Sequence, residues 1–298
     1  MSISRRRILA ALLALSALGA AVAADHAFSY IVLPSRADNP RNSEAAILPL
    51  GVGNLLLAWT EFYTQTGSDW GSSRISGMIS SDGGKTWRNK RILQPNIGKM
   101  NVMEANLLRL QPGKVLFVFV RKNSEADCQA MVRVSTDDAH SFSAPVPLAT
   151  DPVPAYWTIN NDRLIQLRSG RILLPMNYTR DFRVSQHFVA RVYYSDDDGT
   201  SWKGSKSLVD VKASKVGSDE PGVVELADGR VMLWLRTDTG HPYRSYSQDQ
   251  GETWSEPEPM PVASPDSPQS IKRIPNTGDL LMVCLLYTSD AADDLTRV

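Results

Sequence analysis

SSDGGKTW at residues 80–87 returns three times, as STDDAHSF at 135–142, SDDDGTSW at 195–202 and SQDQGETW at 247–254. The copies fit Ser-x-Asp-x-Gly-x-x-Trp, with Ala139 and Phe142 replacing Gly and Trp in the second. These residue types specify a tight turn. Ser and Asp side chains bond to turn backbone, Gly supplies a positive φ, and the aromatic ring plugs the base. Each copy follows a strand-like run: RISGMIS, MVRVS, RVYYS and YRSYS. The starts are separated by 55, 60 and 52 residues, the period of an array of supersecondary units. Short alternating strands at that period predict an all-β fold of the β-propeller type.

A second repeat runs in phase with the first: SEAAILPLGVGNLLLAW, MEANLLRLQPGKVLFVF, INNDRLIQLRSGRILLPM, DEPGVVELADGRVMLWL and SPQSIKRIPNTGDLLMV. Each reads as a strand, a Gly-containing turn and a second, almost wholly apolar strand, which predicts a hairpin whose second strand is buried on both faces. Aligned on Gly53, Gly113, Gly170, Gly229 and Gly278, the segments place Glu44, Glu104, Asn161, Glu220 and Gln269 nine residues upstream. In a propeller the start of the innermost strand lies at one mouth of the central channel. Carboxylates converging there from several blades need cations or a ligand as partners. This column is the candidate site, with Asp162 and Arg163 beside Asn161.

The bulk properties fit this picture. The chain has 298 residues, enough for a large core. Its zero formal net charge speaks against nucleic-acid or anionic-membrane partners. The four histidines are scattered, so no metal site is expected, and nothing implies a cofactor. Cys128 and Cys284, the two cysteines, do not suggest a disulfide framework. Residues 1–23 carry Arg5-Arg6-Arg7, an apolar stretch and Ala21-Val22-Ala23, which reads as a secretory signal peptide, by a general or a twin-arginine route. Export to the periplasm or the medium, without a stable membrane anchor and as a monomer, is the expectation.

The repeated turn resembles the Asp-box of the sialidase (neuraminidase) superfamily, over residues of about 30–283. The resemblance implies a six-bladed β-propeller and an exo-acting glycoside hydrolase that removes terminal sugars, sialic acid or a related residue, from glycans. It also implies that the boxes are structural. DEPGVVELADGRVMLWLR looks like the sialidase segment in which a Glu partners a tyrosine nucleophile and an Arg helps clamp the substrate carboxylate, here Glu220 and Arg236. Asp69, in TGSDWGSSRI, falls where the family carries its acid/base Asp. Arg41 lies near the family's first clamp arginine, about two positions early. Arg163 would contact an anionic ligand or pair with a channel Glu.

Two departures qualify the resemblance. Glu44 and Glu104 make the pocket more acidic than one built for a carboxylate sugar. This keeps open a glycosidase of the same fold working with paired carboxylates on other sugars, or a sugar-binding propeller without catalysis. After Val283 the pattern stops, and CLLYTSDAADDLTRV reads as a non-native tail over residues 284–298. The expected organisation is therefore a propeller over residues 24–283 reduced to about four and a half blades. The third clamp arginine and the nucleophilic tyrosine would lie beyond it, and Tyr287 is not a candidate.

Overall fold

The computed structural model describes residues 31–64 and 66–285. The signal-peptide reading and Tyr287 fall outside that range. All strands lie in the unit that begins at Leu33.

The first blade is an antiparallel sheet of β1 (Arg41–Pro49), β2 (Leu55–Phe62), β3 (Ser73–Ser80) and β4 (Arg88–Gln94). The second holds β5 (Asn101–Gln111), β6 (Lys114–Ser124), β7 (Asp127–Ser135) and β8 (Val146–Pro147). In the third, the inner strand is split into β9 (Tyr156–Thr158) and β10 (Ile165–Gln166), both paired with β11 (Ile172–Thr179), followed by β12 (Val189–Ser195) and β13 (Lys203–Gly204). The fourth is β14 (Asp219–Glu225), β15 (Val231–Arg236), β16 (Tyr243–Ser247) and β17 (Glu258–Pro259). A hairpin of β18 (Ser270–Arg273) and β19 (Leu280–Val283) follows. One parallel pairing, Cys128 with Tyr156, joins the second and third blades into a continuous sheet, which the repeat did not foretell.

The apolar second strands are explained by what lies on each side of them. Side chains alternate across a strand. On β6, Phe117 and Phe119 enter the cluster shared with the first blade, whereas Leu116, Val118 and Val120 enter the cluster shared with the third. On β15, Leu233 and Leu235 face the third blade's cluster, while Met232 and Trp234 pack with Ile271 of the last hairpin. The faces that neighbouring blades turn toward one another are thus core faces, and each fully buried aliphatic or aromatic side chain contributes about 1.5–3 kcal/mol.

The four repeated turns close the β3–β4 type connections with one hydrogen-bond pattern. Ser80 Oγ donates to Asp82 Oδ1 at 2.8 Å and accepts from the Gly84 amide at 2.8 Å. Asp82 then accepts from the Thr86 amide at 2.8 Å and from the Thr86 hydroxyl at 2.6 Å. The pattern recurs at Ser135, Asp137 and Ser141, at Ser195, Asp197 and Ser201, and at Ser247, Asp249 and Thr253. The hydroxyl one residue before the aromatic position is therefore part of the motif, which the four-letter reading missed. In the degraded copy Ala139 takes the positive φ itself, at 65°. Phe142 replaces Trp by packing on Phe117, with ring centroids 5.2 Å apart.

Candidate functional site

At the opposite end of the blades the inner strands break register. The ladder skips between Ser43 and Ala46, between Met103 and Asn106, and between Asp219 and Gly222. The residues inside these bulges are Glu44, Glu104 and Glu220, with φ of 55°, 65° and 42°. A left-handed Glu costs of the order of 1–3 kcal/mol and persists only where its surroundings enforce it. A bulge re-aims a side chain out of the pleat, and here it turns each carboxyl toward the channel. In the third blade the left-handed residues are Asn160 (φ 48°) and Asp162 (φ 57°), between the two halves of the split inner strand. The Gly-based alignment chose Asn161, which stands between these two left-handed residues. Gln269 is not left-handed; it is buried just ahead of β18.

All ten residues singled out from the sequence line one cavity of 740 Å³: Arg41, Glu44, Asp69, Glu104, Asn161, Asp162, Arg163, Glu220, Arg236 and Gln269. The blades are stitched together around it. The Thr60 hydroxyl donates to Glu44 Oε2 at 2.8 Å and accepts from the Glu104 amide at 3.1 Å. Glu104 Oε2 accepts from the Ile159 amide at 2.9 Å. The buried Asn106 amide group donates to Glu104 O and Asn160 O, and its oxygen accepts from the Arg163 amide. Asn161 Nδ2 reaches Ala45 O at 2.6 Å, Lys272 Nζ reaches Asp162 Oδ2 at 2.9 Å, and Arg163 Nη2 reaches Gln269 O at 2.8 Å.

Two arginines are occupied by protein carboxylates. Arg41 pairs with Asp69 and, at 3.2 Å, with Glu44. Arg236 donates to Glu220 Oε1 at 2.7 Å and to Asp266 Oδ1 at 2.7 Å, and lies 3.8 Å from Asp219 Oδ2. Among the described residues, Glu220 Oε2, Arg163 Nε and Gln269 Oε1 are buried without a hydrogen-bond partner. Asp69 sits at the rim, its side chain 56% exposed. Its loop is held from behind: Asn101 Nδ2 donates to Asp69 O and Gly71 O, both at 2.8 Å, and Lys122 Nζ donates to Asp69 O at 3.0 Å.

Burial dominates the electrostatics of the floor. It pushes the Glu104 carboxyl up to about 8, helped by the neighbouring Glu44 charge. Burial and then Glu220 raise Asp219 to about 7. Burial raises Glu220 too, against the pull of Arg236 and Arg163. It raises Glu44 against the Thr60 hydrogen bond and Arg41. Tyr156, the tyrosine in the lining, is pushed further from ionisation by burial. Among the described residues there is no group of three or more His, Cys, Asp or Glu arranged for a metal ion.

Sequence reasoning passed over Lys122, Asp219, Asp266, Asn106 and the aromatic wall of Trp70, Tyr156, Phe182 and Phe188. One signal was present. Lys122 continues the Leu116, Val118, Val120 alternation of β6, which places a lysine on a core-facing parity. The others depend on loops from neighbouring blades and carry no local mark.

Sheet order, repeated turns and channel-mouth bulges together define a propeller of the sialidase type. Similarity agrees. Residues 102–295 match the family described as BNR repeat-like domain, and the chain belongs to that family, within the sialidase superfamily. A curated sialidase of Paraclostridium sordellii is 24% identical over 229 residues, 69% of this chain and 55% of the relative; the chain thus spans about half of that protein. A Dyadobacter fermentans protein of unknown function superposes with a TM-score of 0.70 at 20% identity, over 85% of this chain and 77% of that one. Trypanosoma rangeli sialidase does so with a TM-score of 0.64 at 20% identity, over 81% and 43%.

Proposed function

We propose that this protein is an exported glycoside hydrolase that removes a terminal sugar from a glycan bound in the 740 Å³ cavity. The observation that carries the reading is Glu220. It is held in a strained left-handed bulge, one carboxyl oxygen is fixed by Arg236 at 2.7 Å, and the other has no partner. Such a group is preorganised for charge that develops in the transition state. Glycoside hydrolysis needs a proton donor for the leaving oxygen and a carboxylate that meets the oxocarbenium-like centre. Asp69, at the rim, is assigned the proton donor's role where the leaving glycan departs, for which its ion pair with Arg41 must open. Glu220 supplies the carboxylate itself, because the cavity tyrosine, Tyr156, is driven away from ionisation. Asn161, Asp162, Arg163 and Gln269 contact the sugar. The 1–23 segment directs export, and the product acts as a monomer.

A second assignment of the proton donor rests on Glu104. A carboxyl raised to about 8 stays protonated at neutral pH and can act as the acid. The test is a panel of 4-methylumbelliferyl glycosides, including a sialoside, a glucuronide and neutral hexosides, assayed with wild type, Glu220→Gln, Asp69→Asn and Glu104→Gln. Loss of turnover in Glu220→Gln and Asp69→Asn supports the first assignment. Retained turnover in Asp69→Asn with loss in Glu104→Gln transfers the proton to Glu104. Binding of a glycan with no turnover on any substrate defeats the hydrolase reading. The mature N-terminus of the secreted product tests export.

A further inference from the structure

We infer that Asp219 is a positioning residue for Glu220: one of its oxygens caps the bulge that aims the Glu220 carboxyl into the cavity, and the other faces the same nitrogen of Arg236 that holds Glu220. This rests on the reading that Glu220 is the reacting carboxylate of a glycoside hydrolase, and it names what fixes that carboxylate and what releases it.

The backbone of the bulge comes first. Asp219 opens β14 and pairs with Arg236 of β15, and the next paired residue is Gly222. Glu220 and Pro221 therefore stand out of the ladder, and of the two only Glu220 has an amide N–H to place. Asp219 Oδ1 takes it, at 2.9 Å. The same oxygen accepts from Asn177 Nδ2 at 2.8 Å. Asn177 is fully buried on β11, and its own oxygen accepts from the Thr158 hydroxyl at 2.6 Å. The cap is thus anchored in the third blade, and Asp219 cannot turn from Glu220 without breaking that chain.

A carboxyl is more than the cap requires. In the third blade Asn160 Oδ1 takes the amide of Asn161 at 2.6 Å, the same contact made by a neutral side chain. In the second the Thr60 hydroxyl takes the amide of Glu104 at 3.1 Å. What Asp219 adds is a second, ionisable oxygen in the cavity lining. Asp219 Oδ2 lies 3.8 Å from Arg236 Nη1, the nitrogen that donates to Glu220 Oε1 at 2.7 Å. Nε and Nη2 of the same guanidinium are spent on Asp266, so the two neighbouring carboxyls meet at one nitrogen.

The charges around that nitrogen decide how it is shared. The groups bearing on the pair are Arg236 on β15, Arg163 ahead of β10, Asp266 ahead of β18 and Glu104 on β5. Two cations thus face four carboxyls, Asp219 and Glu220 included, and like charges at this spacing favour retention of a proton. Burial and then the Glu220 charge push Asp219 up to about 7. While Asp219 keeps its proton, Arg236 serves Glu220, and the Glu220 carboxylate is fixed. When Asp219 ionises, Nη1 is drawn toward Oδ2 and the hold on Glu220 loosens.

The experiment compares wild type with Asp219→Asn, which keeps the capping oxygen and removes the charge, and with Asp219→Ala, which removes both. Turnover of whichever glycoside of the panel is cleaved is followed from pH 5 to 9, with kcat and KM separated and melting curves showing each variant folded at the assay temperature. The Glu220 carboxyl is followed over the same range by NMR of protein labelled at the glutamate carboxyl carbons, its signal assigned by its loss in Glu220→Gln. Asp219→Ala is expected to lower kcat about ten- to a hundredfold while KM moves by less than about threefold, the mark of a misplaced reacting group rather than a lost binding contact. Asp219→Asn is expected to hold the wild-type kcat at pH 5. It should lack the step that wild type shows, in kcat and in the Glu220 signal, as pH passes about 7. A wild-type kcat in Asp219→Ala overturns the positioning role, and so do superimposable pH courses in wild type and Asp219→Asn. If Asp219→Ala fails to fold, the pH courses of Asp219→Asn decide. A Glu220 signal that steps near 7 in wild type and not in Asp219→Asn, with no glycoside cleaved, keeps Asp219 as the residue that controls Glu220 and removes the hydrolase reading. Turnover with superimposable courses does the reverse.

Discussion

The Asp-box turns and the inner-strand bulges sit at opposite ends of the same blades, and both place a carboxyl beside left-handed backbone. Their chemistry is opposed. In each box the carboxylate accepts from a Ser hydroxyl, a backbone amide and a second hydroxyl, so it is fully satisfied. Asp82 and Asp197 are held at about 2, first by the hydroxyls of Thr86 and Ser201. In the bulges the carboxyls are half-buried and close to one another, raised, and in the case of Glu220 left with an unpartnered oxygen. The same element, an acid on a tight turn of a repeated sheet, is structural where local hydrogen bonds complete it. It becomes a candidate for chemistry where they do not.

The comparison can be broken most decisively at Glu220. Glu220→Gln is expected to lower turnover of any active glycoside by about 10²–10⁴-fold, the range for removing a catalytic acid or base, while Asp82→Asn leaves it within about twofold. Comparable losses in both variants, measured as kcat/KM, would erase the distinction. Next is the backbone that supports the bulge. A Cβ on Gly222 would lie 2.0 Å from Cζ2 of the buried Trp234, so Gly222→Ala should destabilise by about 1–3 kcal/mol in urea melts. On the turn side, Ser195 Oγ serves both the Asp197 carboxylate and the Gly199 amide. Ser195→Ala should cost about 1–3 kcal/mol without changing KM.

The remaining effects concern pH, and they run in opposite directions at the two ends. Glu104 rises from an ordinary 4.5 to about 8, so its stabilising contribution is complete below 4.5 and is lost as pH climbs through 8. Glu104→Gln should flatten the decline of melting temperature on the alkaline side. Asp82 falls from 3.8 to about 2, so its contribution is present above 3.8 and is lost as pH drops through 2. Asp82→Asn should soften only the acid limb, and weakly, because the group is exposed. Melting temperatures of both variants from pH 2 to 9 would show whether the limbs separate.

Much of this was legible before the structure. The boxes and hairpins depend on contacts within a few residues, so periodicity and turn chemistry specify them. The column counted back from the hairpin glycines found Glu44, Glu104 and Glu220 because in those three blades the left-handed residue of the bulge stands nine residues before the hairpin glycine. At the third blade it fell on Asn161, between two left-handed residues, where the inner strand is split, a break the count could not register. Asp69 and Arg41 came from resemblance, and their mutual pairing was not foreseen. Lys122 was written into the parity of β6 but overlooked, since a lysine at the end of a strand reads as a solvent-facing terminus.

The sequence by itself determined the repeating unit, its turns and the faces that must be buried, because hydrogen bonding within a turn and alternation along a strand are local. Only the tertiary structure decided which charges meet. Arg236 with Asp266, Asn106 with Arg163 and Lys122 with the Asp69 loop are joined across segments or blades that no local pattern relates. The same convergence screens part of each carboxyl at the channel mouth from solvent, which raises Glu104 and Asp219 and leaves Glu220 Oε2 without a partner.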